Sequence, residues 1–397
     1  MRSTTSWITR VVGFVLALCC AGVPAQEGAI VVGAVVSQTG VHAEEAADYR
    51  DALLLWQEEV NARGGLLGRR IDLRLLDDGS EAIQSGALYG RLIGEEKADV
   101  LIGPYGTAAT MMAAAEAERS RRVLINAAGP SRAVHKRSPR FVFQTTVPYA
   151  AYGAGPIELA RQLGCRKLLL VSRDDPVAME MADAARERAL KSGLQVTDVE
   201  VYPAGAGDFL PQVASFRVQG ADAWVAFGES HDAGEMLKTL KKHALSPKLF
   251  FVRGASDPAL MKRVGQDAEF AVGASGYDAR MRTTGNLEFV KAFRAKYSRA
   301  PGRAAAESYA AGTVLAEAAR RAGSVDQEKL RAALASLVFP TVLGEYRVDP
   351  LTGEQLGEFP AVTEILSGRV QLVWPAELET AKRVLPFPAW GGRKILK

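Results

Sequence analysis

Residues 29–36, Ala-Ile-Val-Val-Gly-Ala-Val-Val, form a nearly continuous apolar run. A strand reads this way when helices cover both faces of its sheet. Over 43–63 the spacing turns helical, with Ala47, Leu54, Leu55 and Val60 near one face, and the glycines of 61–68 end it. Alternation over 71–76 predicts a second strand, which stops at Asp77-Asp78-Gly79. A helix over 81–96, a strand over 99–102, a helix over 108–120 and a strand over 123–126 follow. A second series then begins, with helices expected over 149–163, 177–192, 208–219, 232–244 and 257–265. Its strands are expected over 167–172, 195–202, 223–227 and 248–252. Residues 286–336 read as mainly helical, and short strands close the chain over 362–366 and 370–373.

Repeated βα alternation predicts parallel sheets with helices on both faces. The fold class expected is therefore α/β, as two Rossmann-like lobes joined near 145–148 by a hinge of several crossings. Length agrees, because 397 residues with 48% hydrophobic content exceed one simple core. The expected division is a leader over 1–25, one lobe from 26–146 and 277–344, and another from 147–276 and 345–397. The net charge of +4 is spread among both signs, with no basic stripe interleaved with aromatics, so nucleic acid is not an expected partner.

The first residues carry an export pattern. Arg2 and Arg10 precede the apolar stretch 11–21, and Val23-Pro24-Ala25 supplies small residues for cleavage after Ala25. The stretch is shorter than the roughly 20 residues that span a bilayer. Cys19 and Cys20 fit a lipidation motif poorly, because Leu18 and Cys19 precede them rather than a small residue. Cleavage leaves Cys165 alone, which precludes an internal disulfide.

Candidate chemistry gathers at strand ends. At Gly103-Pro-Tyr-Gly-Thr107 a strand gives way to a helix whose first N–H groups suit a carboxylate or phosphate. Thr107 could serve as a ligand donor or as the helix cap. Asn126-Ala-Ala-Gly-Pro130 ends the next strand and extends the same rim. Asp77 and Asp78 resemble a carboxylate pair, but helix capping or a hinge contact is the expected use. No dinucleotide turn, phosphate loop or nucleophile elbow occurs. His42, His135, His231 and His243 lie far apart without metal-ligand spacing. His231, beside Glu229 and Asp232, reads as a rim histidine before a base or metal ligand. No catalytic residue, metal or cofactor is expected.

Taken together, these segments resemble the type I periplasmic binding proteins of branched-chain amino acid and amide ABC importers. The similarity is carried by Val32-Gly-Ala-Val-Val-Ser-Gln-Thr-Gly40, by Glu59-Val-Asn-Ala-Arg-Gly-Gly-Leu-Leu-Gly68 with Asp77-Asp78 after it, and by Leu101-Ile-Gly-Pro-Tyr105. The tail segments Trp374–Leu378 and Pro386–Trp390 are similar to a subset of the family. The resemblance implies a non-enzymatic, monomeric, exported protein whose lobes close on a small ligand for an ABC permease and its ATPase. A ligand-sensing receptor domain shares the fold and is the alternative.

The resemblance also implies site residues. The positions for a ligand carboxylate fall on Tyr105, Gly106 and Thr107, and on Ala127, Ala128 and Gly129. Gly129 lacks the hydroxyl that the family usually has there. Tyr149 follows the first crossing and is expected at the cleft. In the second lobe Ala178 replaces a common tyrosine, Glu229 stands at a strand end that often carries tyrosine, and Arg253 stands where an acid pairs with the ligand ammonium. An ammonium in a dry cleft needs an acidic partner. Either Glu229 supplies it, or Arg253 binds a second carboxylate or an aromatic acid.

Overall fold

A computed structural model describes residues 28–196 and 198–393. The expected leader, its cleavage point, Cys19 and Cys20 lie outside these residues. No helix among the described residues is long and apolar enough to cross a membrane.

The first sheet uses β1 (Ile30–Val36), β2 (Ile71–Asp77), β3 (Val100–Ile102), β4 (Leu124–Asn126) and β5 (Val142–Gln144). Between them run α1 (Ala43–Ala62), α2 (Ala82–Gly94) and α3 (Thr107–Ser120). The order is β2-β1-β3-β4-β5, every pairing parallel. After α4 (Ala154–Gln162) come β6 (Lys167–Arg173), α5 (Pro176–Lys191), β7 (Gln195–Val196), β8 (Glu200–Tyr202), α6 (Leu210–Gln219) and β9 (Ala223–Phe227). Next are α7 (Ser230–Lys242), β10 (Leu249–Val252), α8 (Ala259–Val264) and β11 (Val272–Ser275). In the second sheet β6 lies between β9 and the β7–β8 pair, and β10 and β11 extend it in parallel. Both sheets thus repeat one doubly wound order, in which the strand sequence reverses beside the first strand.

The chain then returns to the first sheet as α9 (Asn286–Tyr297), α10 (Arg303–Ala322) and α11 (Gln327–Ser336), and adds the ribbon β12 (Phe339–Pro340) with β13 (Glu345–Tyr346). Finally β14 (Ala361–Leu366) and β15 (Arg369–Trp374) join the second sheet antiparallel at β11. The tail closes over that sheet: Phe387 packs on Phe250, and Trp390 Nε1 donates to the Leu245 carbonyl at 2.8 Å. Cys165 is buried.

Several expectations shift. Residues 345–358, expected with the second lobe, pack on the first. Tyr346 and Val348 belong to its core, Tyr346 donates to the Leu334 carbonyl at 3.1 Å, and Gln144 N donates to the Gly353 carbonyl at 2.9 Å. The hairpin through β12 and β13 keeps this stretch beside α11 until the chain crosses near 359. The expected strand over 195–202 is two pieces, which pair with opposite ends of β6. The expected helix over 149–163 opens as a 3₁₀ turn, Tyr149–Gly153, before α4. There Gly153 lies so close to α5 that a Cβ would sit 2.7 Å from Ala185. Strands β5 (Val-Phe-Gln) and β11 (Val-Gly-Ala-Ser) were not among the expected elements.

Helix α1 carries the fully buried Trp56 against α10, and Gly312 makes that approach possible. A Cβ on Gly312 would lie 2.4 Å from the indole. Gly312→Ala is expected to cost about 1–3 kcal/mol through overpacking, read as a lower denaturation midpoint with an unchanged slope.

Glu364 on β14 is fully buried, and its Oε2 accepts from Val384 N at 2.9 Å. Burial pushes its carboxyl up to about 8; the Val384 N–H and Arg383 oppose this while Glu269 adds to it. Unfolded, the group would titrate near 4.3. Between those values the folded state holds a proton the unfolded chain has lost. Stability from this group is therefore complete below about pH 4.3 and falls as pH rises toward 8. Glu364→Gln should flatten that part of a stability–pH curve and leave the protein more stable at pH 8 than the parent.

Candidate ligand-binding cleft

Ligands of doubly wound sheets lie outside the carboxyl ends of the strands, near the point where strand order reverses. In the first sheet that point is between β1 and β3. A depression of about 170 Å³ lies there, lined by Ser37, His42, Tyr105, Gly106 and Thr107 among others. Gly106 is the cap of α3, at φ 92°, a left-handed value that favours glycine. Thr107 is thus the first residue of the helix, and the capping role considered for it belongs to Gly106. Asp78 lines the same depression, with its oxygens taken by Ser80 N at 3.0 Å and Ser85 Oγ at 3.0 Å. Asp77 accepts from Gln38 N, Thr39 N and Thr39 Oγ1, tying the loop after β1 to β2.

Ala127, Ala128 and Gly129 form the support beneath this rim. Ala127 and Ala128 are buried in the core, and Ala128 O accepts from Gly106 N at 3.0 Å. Gly129 N donates to Asn126 Oδ1 at 2.8 Å, and its carbonyl accepts from Asn126 Nδ2 at 2.9 Å. A Cβ on Gly129 would lie 2.6 Å from Thr110, so glycine is needed there. Thr110 Oγ1 in turn donates to the Gly106 carbonyl at 2.8 Å. His135 completes the support. Its Nε2 faces Asn126 Nδ2 at 3.1 Å and its Nδ1 faces the Thr352 carbonyl at 2.9 Å. Burial lowers the His135 pKa against the pull of that carbonyl, so the ring is neutral, accepting at Nε2 and donating at Nδ1.

Tyr149 stands just past the first crossing, half-buried. Burial pushes its hydroxyl up to about 12, and four groups act on it electrostatically: Arg303, Tyr152, Glu307 and Arg253. Arg303 opens α10, whereas Arg253 follows β10. Residues held by the two sheets therefore converge on one tyrosine. Arg303 donates through Nη1 to Glu307 Oε1 at 2.6 Å and through Nη2 to Tyr105 Oη at 3.3 Å. Glu307 is buried and also accepts from Thr146 Oγ1 at 2.7 Å. Arg303 keeps 42% of its side chain exposed although protein groups surround it, as expected for the wall of an open cleft.

On the second sheet, Glu229 lies just past β9 as the cap of α7 and pairs with Arg253, with Arg173 at 3.7 Å. Glu229 N donates to the buried Asp232 at 2.8 Å, part of a reciprocal cap at the start of α7. His231 is half-buried, 3.8 Å from Asp232. No cluster suited to a metal ion occurs among the described residues. Glu180 of α5 reaches back across, accepting from Ser131 Oγ at 2.5 Å and Arg132 N at 2.9 Å.

The structure thus brings Tyr105, Tyr149 and Arg253 toward one cleft, with Glu229 beside Arg253. Gly106 and Thr107 line its first wall, and Ala127, Ala128 and Gly129 lie behind that wall. Arg303, Glu307 and Tyr152 escaped the sequence reading. A signal existed: an Arg–Glu pair four apart at the head of an alanine-rich helix marks an acid that needs a partner once buried.

The sequence profile described as periplasmic binding protein matches residues 29–358. The chain belongs to the periplasmic binding protein family. An amino acid binding protein of Pseudomonas aeruginosa is 26% identical over 325 residues, which cover 81% of this chain and 86% of that one. Among solved structures, an ABC transporter substrate-binding protein from Desulfitobacterium hafniense in complex with Leu has a TM-score of 0.70 at 21% identity, covering 87% of this chain and 99% of that one. An ABC transporter solute-binding protein from R. palustris in complex with benzoate has a TM-score of 0.65 at 21% identity, with coverages of 91% and 97%. Membership agrees with the two-lobed α/β architecture expected from the sequence.

Asn126→Ala would leave the Gly129 N–H and carbonyl and one His135 nitrogen without their partner. A loss of about 1–3 kcal/mol in unfolding free energy is expected. Hydrogen exchange should quicken at Gly129 relative to the strands of the second sheet, which isolates the local effect.

Proposed function

We propose that this protein is the solute-binding component of an ABC importer, exported through the 1–25 leader. Its first lobe comprises 28–146 and 277–358, its second 147–276 and 361–393, with the chain crossing at 359–360. A small carboxylate-bearing solute, an amino acid or a related acid or amide, sits between them. The observation that supports this most directly is that Arg303 of α10 bonds Tyr105 of the first wall and lies with Tyr152 around Gly276 of the second crossing, while Glu180 of α5 reaches Ser131 and Arg132 of the first lobe. Such groups, held by separate bodies, can grip one small molecule only when the bodies come together. Closure is favoured by whatever affinity the solute has for the closed form beyond its affinity for the open one. The closed form is what a cognate permease and its ATPase accept. The protein acts as a monomer and performs no reaction.

The test is a thermal-shift screen of the chain from Gln26 against amino acids, amides, dicarboxylates and aromatic acids, followed by small-angle scattering. A bound solute at about 100 times its Kd adds roughly 2.7 kcal/mol of stability, enough to raise the melting temperature visibly. The same solute should reduce the radius of gyration. A panel without any stabilising compound would overturn the proposed ligand class.

A further inference from the structure

Resting on that reading, we infer that the solute is a carboxylate without an α-ammonium group, anchored on the Arg303 guanidinium. An amino acid brings one charge of each sign into the cleft, and each needs a partner when water leaves. The acids beside the two arginines are each already paired with one. Glu307 is buried, its Oε1 accepting from Arg303 at 2.6 Å and from Thr146 Oγ1 at 2.7 Å, with Oε2 unbonded in the interior. Glu229 pairs with Arg253, and Arg173 lies 3.7 Å from it. Asp232 is buried and accepts from Glu229 N. Asp175 holds Arg173 at 2.6 Å while accepting from Val177 N and Ala178 N at 3.0 and 2.9 Å. An ammonium arriving here would have to take an acid from an arginine and leave that arginine with fewer partners.

An anion meets the opposite situation. Arg303 spends two of its five N–H donors on Glu307 and Tyr105. Water still reaches 42% of its side chain, and its charge acts on both Tyr149 and Tyr152. Its planar fork suits a carboxylate better than a single point charge would. Glu307 and Tyr105 fix the guanidinium from behind, so little is lost in ordering it when the anion docks. Tyr105, Tyr149 and Tyr152 supply ring faces and hydroxyls around the position, a setting for an aromatic or branched acid.

Isothermal titration with matched pairs tests this: 4-methylpentanoate against leucine, and 3-phenylpropanoate against phenylalanine, with benzoate as a rigid acid. Each pair differs by the amine alone. The amine-free member is expected to bind at least about tenfold tighter than its twin. Arg303→Lys, which keeps the charge and loses the fork, should weaken the acids by about tenfold or more. The comparison of twins uses the unaltered chain, so it stands whatever the variant does to folding. Tighter binding of leucine or phenylalanine would overturn this inference and leave the solute-binding reading intact. Equal acid affinity in Arg303→Lys would remove Arg303 as the anchor. Binding of none of the five compounds would overturn this inference and leave the solute-binding reading to the wider thermal-shift panel.

Discussion

A parallel strand covered by helices on both faces can offer chemistry only at its ends. The interior side chains of β1, β3, β6 and β9 are committed to packing, and the ladder uses the backbone groups between strands. What remains is the loop after each strand, where a helix begins and its first N–H groups are still unpaired. Because both sheets wind in the same order, each has one place where such loops diverge. The first contributes the loops ending at Ser37 and Gly106, the second those at Arg173, Glu229 and Arg253. The cleft is therefore a consequence of the topology before it is a matter of particular side chains.

The particular side chains then decide what the cleft can hold. The first wall is preorganised. Asn126, His135 and Thr110 spend their polar atoms on the backbone of the two loops, so those loops present fixed groups. The second wall is crowded with charge, but its charges are mutually satisfied through Arg173, Glu229, Arg253 and Asp232. Between the walls lies the buried Glu307, which bonds both a threonine of the first crossing and the arginine that faces the cleft. A buried carboxylate stripped of such partners would be costly. The same contact that holds the crossing in place therefore holds Arg303 ready.

This arrangement links ligand and hinge through short contacts. Thr146 lies in the first crossing, Gly276 of the second approaches both Tyr152 and Arg303, and Glu180 spans the lobes to Ser131 and Arg132. A substituent on Gly276 would lie 2.8 Å from the Tyr152 hydroxyl and 3.6 Å from Arg303. The crossings are packed as closely as a core, which suits a joint that turns about a fixed line.

Local sequence was enough for the alternation of strands and helices, the two-lobed class and the rim at Tyr105, Gly106 and Thr107. Those features follow from periodicity and from glycines at helix starts, which act over a few residues. It also singled out Glu229 and Arg253 as departures from the family pattern. It was not enough for the pairing of those two with each other, for the inward packing of 345–358, or for Arg303. Tyr105 and Arg303 are 198 residues apart, and Thr146 and Glu307 are 161 apart. Contacts at such separations depend on which strand ends the topology brings together, and no short-range pattern encodes that. The sequence by itself determined the kind of molecule and its two-lobed α/β class. The tertiary structure alone decided which charges in the cleft are already spent, because satisfaction of a buried charge depends on neighbours in space.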